Sequence, residues 1–232
     1  STSNALTIKA FDSNTSNSDK TANIAGLNLV DVQTLNLSLL NELSLDSSAD
    51  ISGIDLTSVV VTGTGNFDLN TNTITGNSST RVALNASSLS GSATINLDAT
   101  TNGVANIQTG LAADTITIDG VTAASGGFVI ASNGSNDTIR ITTNGDGSSA
   151  KININAGGGD ADTLSLDPGV DLSNSNLTLT NVERVLLTGG GFTQKISASD
   201  VSGASLKLAE NDTGIARFTV VADQSSINLA NF

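Results

Sequence analysis

The sequence contains no cysteine, histidine, methionine, tryptophan or tyrosine, and a single proline. Without His or Cys there is no zinc site of the ordinary ligand type, no thiol nucleophile and no Ser-His-Asp machinery. Without Cys, stability cannot rest on disulfides, which in so acidic a chain fits a bacterial exported protein, although a cytosolic chain can lack Cys too. The aromatics are six phenylalanines, 3% of 232 residues. Grooves that act on polysaccharides stack sugar rings on aromatic platforms, so a carboxylate-pair lyase or hydrolase is disfavoured and the chain reads as non-enzymatic. Nine scattered Lys and Arg form no stripe for nucleic acid.

No run approaches the ~18 apolar residues of a membrane helix. Nor does a basic segment followed by an apolar one mark a signal peptide. The chain opens at STSN without Met, so a mature product or an excised domain is expected.

What is present is acid and small polar residues. Of 22 acidic residues 19 are Asp, and formal net charge is −13. Charged residues make up 13%, against ~25% in an average soluble domain. The surface must therefore be built mainly from Ser, Thr and Asn, residues that suit strands and turns and disfavour helices.

Short apolar-x-apolar runs recur from Leu6–Ile8, through Leu27–Leu29, Leu35–Leu37, Val59–Val61, Val82–Leu84 and Ile95–Leu97, to the end of the chain. From Ile116–Ile118 on, through Ile139–Ile141, Leu164–Leu166, Val185–Leu187, Leu206–Leu208 and Ile227–Leu229, their starts lie 23, 25, 21, 21 and 21 residues apart. Such a period marks a repeat architecture whose units bury their apolar faces only by stacking. The expected fold is all-β: a parallel β-helix, or β-solenoid, with coils of about 21–25 residues. Phe128–Ile130, Ile152–Ile154 and Leu177–Leu179 fall between the main runs, where second strands of each coil belong. The leucines of Val30–Ser47 fit a helix at 35, 39, 40 and 43, but also alternate, and strand is the reading taken.

One continuous solenoid domain over 1–232 is expected, less regular over 1–44 and with a polar loop at Asp12–Lys20. ASSLSGSATINL (Ala86–Leu97) echoes ASDVSGASLKL (Ala198–Leu208), and GVANI (Gly103–Ile107) echoes GIARF (Gly214–Phe218) at an offset of 111. The echo reads either as a tandem duplication, with halves 45–155 and 156–232, or as convergence of low-complexity sequence. Phe67, Phe128 and Phe192 are expected as core plugs near turns, and Arg140 and Arg184 as solvent-facing residues near acidic turns.

The chemistry-bearing pattern is Asp-Thr-[Ile/Leu]-x-[Ile/Leu], found three times in 53 residues. It places Asp114, Asp137 and Asp162 at one corner of successive coils, about 4.8 Å apart. Like charges that close need water or a cation between them. Calcium suits hard oxygen donors such as carboxylates and the carbonyls of glycine turns. The first-choice metal site is the turn with Gly157, Gly159, Asp160 and Asp162, followed by Asn136 with Asp137, then Asp114. Asp146, in Asn144–Ser148 (NGDGS), resembles the start of an EF-hand loop but equally fits a type I′ turn. The plain alternative for every one of these turns is a carboxylate capping backbone N–H groups.

Gly157–Ser165 (GGGDADTLS) resembles the RTX nonapeptide G-G-x-G-x-D-x-U-x except at its fourth position, where Asp160 replaces Gly. The other two copies fit less well, and the 23- and 25-residue spacings depart from tandem nonapeptides. With Asn181–Gly189 (NVERVLLTG), Ser/Thr/Ala/Asn-rich coils and no Cys, the chain from about Leu45 on resembles surface-layer proteins of Gram-negative bacteria. That resemblance implies export by type I secretion, to which the aliphatic SINLANF end would conform, and localisation at the cell surface. It also implies a β-solenoid rigidified by calcium, bridged by it into a two-dimensional lattice with copies of itself, and a separate region holding lipopolysaccharide. The runner-up is a calcium-binding adhesin or passenger β-helix of a larger secreted protein.

Overall fold

The computed structural model describes residues 4–10, 21–45, 50–69, 72–76, 81–98, 104–121, 127–142, 150–211 and 215–230. The first coil holds β1 (Ala5–Ala10), β2 (Thr21–Ile24) and β3 (Leu27–Leu29). The second holds β4 (Thr34–Leu39), β5 (Glu42–Leu45) and β6 (Ile51–Gly53), the third β7 (Ser58–Gly63), β8 (Phe67–Asp68) and β9 (Ile74–Thr75). Next come pairs: β10 (Val82–Leu89) with β11 (Ala93–Asp98), β12 (Val104–Gln108) with β13 (Thr115–Asp119), β14 (Phe128–Ala131) with β15 (Thr138–Ile141), and β16 (Lys151–Asn155) with β17 (Thr163–Leu166). The chain continues through β18 (Asn176–Thr180), β19 (Arg184–Leu187), β20 (Thr193–Ser197), a helical turn α1 (Ala198–Val201), β21 (Lys207–Glu210) and β22 (Arg217–Val221).

Every strand pairing is parallel, so the chain is a β-solenoid. Eight strands from β1 to β18 form the first sheet and nine from β2 to β21 the second. A third side is made by β3, β6 and β9 at one end and by β20 and β22 at the other. Apart from the run Leu27–Leu29, this third side was not located from the sequence, because β6, β9 and β20 carry a single apolar residue each. Described strands of 1–44 join the same sheets in register. The expected strand over Val30–Ser47 is split into β4 and β5, both alternating buried and half-buried residues.

The apolar runs stack as columns through the interior. Ile95, Ile116, Ile139, Leu164, Val185 and Leu208 lie in register in the second sheet. Leu35, Val59, Leu84, Ile107, Ile130 and Ile154 do so in the first. All of these except Leu208 are buried, and burial of each such side chain stabilises by about 1.5–3 kcal/mol. The sequence spacing slips at the end. Leu208, not Leu206, continues the column, and Ile227–Leu229 is no strand: its aliphatics are 37% and 40% exposed.

The two echoing segments occupy the same place in their coils with different outcomes. Ala86–Leu89 is strand within β10, whereas Ala198–Val201 is α1, lying against β18 where a further strand of the first sheet would pair. Phe67 and Phe128 are core residues, but Phe192 is 55% exposed rather than a plug. Phe11, Phe232, Asp146 and the Asp12–Lys20 and Asn144–Ser148 stretches lie outside the described residues.

Candidate functional site

The corner between the two long sheets brings the Asp-Thr residues together as a column. Thr115, Thr138 and Thr163 are in register, so the aspartate before each strand sits directly over its counterpart. The carboxylates turn inward: Asp114, Asp137 and Asp162 are 2%, 1% and 0% exposed.

Each carboxylate performs the same task. Asp114 Oδ1 accepts the Ala93 N–H at 2.7 Å, Asp137 Oδ1 the Asp114 N–H at 2.8 Å, and Asp162 Oδ1 the Asp137 N–H at 2.7 Å. Glu183 ends the series by accepting the Asp162 N–H through Oε2 at 2.9 Å. In the opposite sense, the Asp114 and Asp137 carbonyls accept the N–H of Thr138 and Thr163, and the Asp162 carbonyl that of Arg184. The side-chain ladder thus completes the backbone pairing at the bend, where the N–H of each Asp has no carbonyl above it.

The second oxygen of each aspartate is different. Oδ2 of Asp114, Asp137 and Asp162 is buried with no hydrogen-bond partner. Burial pushes the Asp114 carboxyl up, against the opposing pull of the Ala93 and Gly110 backbone N–H groups. Asp137 is pushed up to about 7 by burial, with Asp114 and Asp162 adding like-charge repulsion. Asp162 is raised by burial too, and by Glu183 and Asp160.

The remaining candidate ligands have structural duties. Asp160 is exposed while Asp162 is buried, and the two carboxylates remain close enough to repel. Asn136 Oδ1 accepts the Asp160 and Ala161 N–H groups of the next coil, at 3.1 and 3.2 Å. Gly157, at φ +86°, leaves no room for a Cβ against the Asn133 carbonyl, and Gly159 none against that of Ser135. These glycines are there for close approach between coils. Asn133, Gly157 and Asn181 repeat every 24 residues with φ of 66°, 86° and 54°, a left-handed corner that Gly and Asn tolerate best.

Among the described residues no three acidic side chains are grouped to hold a metal ion. One oxygen of each column carboxylate is already committed to a backbone N–H, and calcium requires six to eight oxygen ligands. In the column each carboxylate caps a backbone N–H of the neighbouring coil. Glu183 had escaped the sequence reading because it lacks the Asp-Thr signature, although it follows Asp162 by one coil length. Thr109 and Ser132, both fully buried beside the column, lacked any signal beyond the coil period.

On the outside of the second sheet Arg140 makes a two-pronged salt bridge to Asp167, at 2.8 and 2.7 Å. Lys195 pairs with Asp171 at 2.7 Å. Comparison with family models, curated proteins and solved structures finds no match for this chain.

Proposed function

We propose that this chain is a structural, non-catalytic building block of a bacterial cell-surface layer. It packs side by side with copies of itself into a two-dimensional sheet, with calcium bridging acidic surfaces between copies. The observation that carries the reading is the outer face of the first sheet. From β4 to β14 its outward positions include Thr34, Asn36, Ser38, Ser58, Val60, Asn85, Asn106, Gln108 and Val129, with no charge among them. Hydroxyl and amide groups on a flat face can be buried against a like face at low cost, because each finds a partner there. The second sheet faces outward with Glu42, Asp68 and Asp119, so charge repulsion keeps that side solvated until a divalent cation screens it. Export through a type I system and attachment to lipopolysaccharide through another part of a longer protein belong to the same reading.

The runner-up, a calcium-binding adhesin or passenger that stays monomeric, draws support from α1. It lies against β18 and closes the first sheet to strand-by-strand extension. Size-exclusion chromatography, light scattering and negative-stain microscopy in calcium and in EGTA separate the two. Ordered sheets in calcium that dissolve in EGTA, and are abolished by Asn85→Arg without loss of thermal stability, support the lattice. A persistent monomer in calcium at high concentration overturns it and favours the adhesin.

A further inference from the structure

We propose that the corner column is a proton-binding site: Asp137, at its middle, is a neutral carboxylic acid in the folded solenoid at near-neutral pH, and its proton stabilises the stacking of adjacent coils. The inference stands on geometry. Three carboxyl oxygens in one column, Oδ2 of Asp114, Asp137 and Asp162, are buried and have no donor. A buried acceptor without a donor is costly, and a buried uncompensated charge more so. The polar groups next to them do not fill the gap. Ser132, beside Asp137, directs its hydroxyl to the Ala156 carbonyl at 3.2 Å, and Thr109, beside Asp114, directs its own to the Ser132 carbonyl at 3.2 Å. With its hydrogen so used, each hydroxyl has none to spare for the carboxyl. A proton on Oδ2 of Asp137 removes a buried negative charge from a corner that offers it no donor.

Among the described residues no Lys or Arg side chain acts on Asp137. Asp137 faces Asp114 from the coil below, Asp162 from the coil above and Ser132 across the corner. Asp162 in turn faces Glu183 and Asp160. Arg140 stands on the outer face, engaged with Asp167, and Arg184, in register with Thr163, continues that outer face. Burial pushes the Asp137 carboxyl up to about 7, in agreement with the geometry. The linkage sign follows: a carboxyl whose folded affinity for a proton exceeds its unfolded one stabilises at acid pH and loses that contribution as pH rises toward 7.

The test is denaturant unfolding of the full chain at pH 5, 6, 7 and 8, with and without millimolar calcium, for wild type and Asp137→Asn. Asn keeps an acceptor for the Asp114 N–H and cannot ionise. The expected result is a wild-type midpoint that falls from pH 5 to pH 8, is not restored by calcium, and is flattened in Asp137→Asn. A wild-type midpoint that is constant or rises with pH overturns the proposal. So does full recovery at pH 8 on adding calcium, which would make the column a metal site. If Asp137→Asn does not fold, infrared spectra of the wild type still decide: loss of a protonated-carboxyl band between pH 6 and 8 supports the proposal, and its absence at pH 6 overturns it.

Discussion

Replacing Asp137 by Ala separates the two things its carboxyl does. Truncation removes the acceptor of the Asp114 N–H, a buried bond of 2.8 Å, and leaving that donor unsatisfied costs about 1–3 kcal/mol at any pH. It also removes a group whose proton affinity is shifted from an ordinary 3.8 to about 7 by burial. Each pH unit between those values is worth about 1.4 kcal/mol, so the full cost of deprotonating the buried group reaches an upper bound of about 4 kcal/mol. Between pH 5 and pH 7 that amounts to about 3 kcal/mol of destabilisation in the wild type that the variant escapes. The difference in unfolding free energy between Asp137→Ala and wild type therefore moves by up to about 3 kcal/mol in the variant's favour from pH 5 to pH 8. The change in their difference reports Asp137 together with its coupling to Asp114 and Asp162. Guanidinium unfolding by circular dichroism at both pH values measures it. A difference that stays constant, or moves against the variant at high pH, refutes the reasoning.

Other expectations test the scaffold. Gly157→Ala, at φ +86° and against the Asn133 carbonyl, should destabilise by more than the ~1–3 kcal/mol of backbone strain alone. Gly169→Ala, at φ +79° with open space around it, should show only that strain; equal melting shifts would contradict the close-approach account. Ile139→Ala, in the middle of the second-sheet column and fully buried, should cost about 2–5 kcal/mol. Val129→Ala on the outer face should cost no more than about 0.5 kcal/mol; chemical denaturation ranks the two. Breaking the outer pair by Arg140→Ala, where the Arg side chain is 48% exposed, should cost less than about 1 kcal/mol. That loss should shrink with added salt, and a salt-independent loss would place the pair in a drier setting than its exposure indicates.

Much of the solenoid is legible in the sequence because its core is built from columns. A two-residue apolar alternation repeated every 21–25 residues admits few other packings, and Ile116, Ile139, Leu164 and Val185 stack as that period demands. The Asp-Thr corners are legible for the same reason: Asp114, Asp137 and Asp162 precede those strands and fall into register with them. What their carboxylates do was not legible. An Asp followed by Thr at a glycine-rich turn is compatible with a ligand facing out or a cap facing in, and only the path of the bend decides. The path turns Asp162 inward and leaves Asp160 exposed. The helical turn α1 was hidden because Ala198–Val201 copies a segment that is strand at Ala86–Leu89. The copy differs at its third and fourth residues, where Asp200 and Val201 replace Ser88 and Leu89. Asp200 is half-buried and its carboxyl is pushed up to about 6 by burial and by Asp223, an environment with no counterpart in the strand copy. The third side escaped notice because Ile51 and Ile74 stand alone between polar neighbours.

The side-chain titration of Asp137 is the most direct measurement of the account. With the aspartates labelled with 13C at Cγ and assigned by substitution, the Asp137 carboxyl carbon should titrate with a midpoint near 7, well above the ordinary carboxylate range. Calcium should leave that midpoint where it is. An Asp137 midpoint near 4 or lower, or one driven down by millimolar calcium, would contradict a column stabilised by a proton.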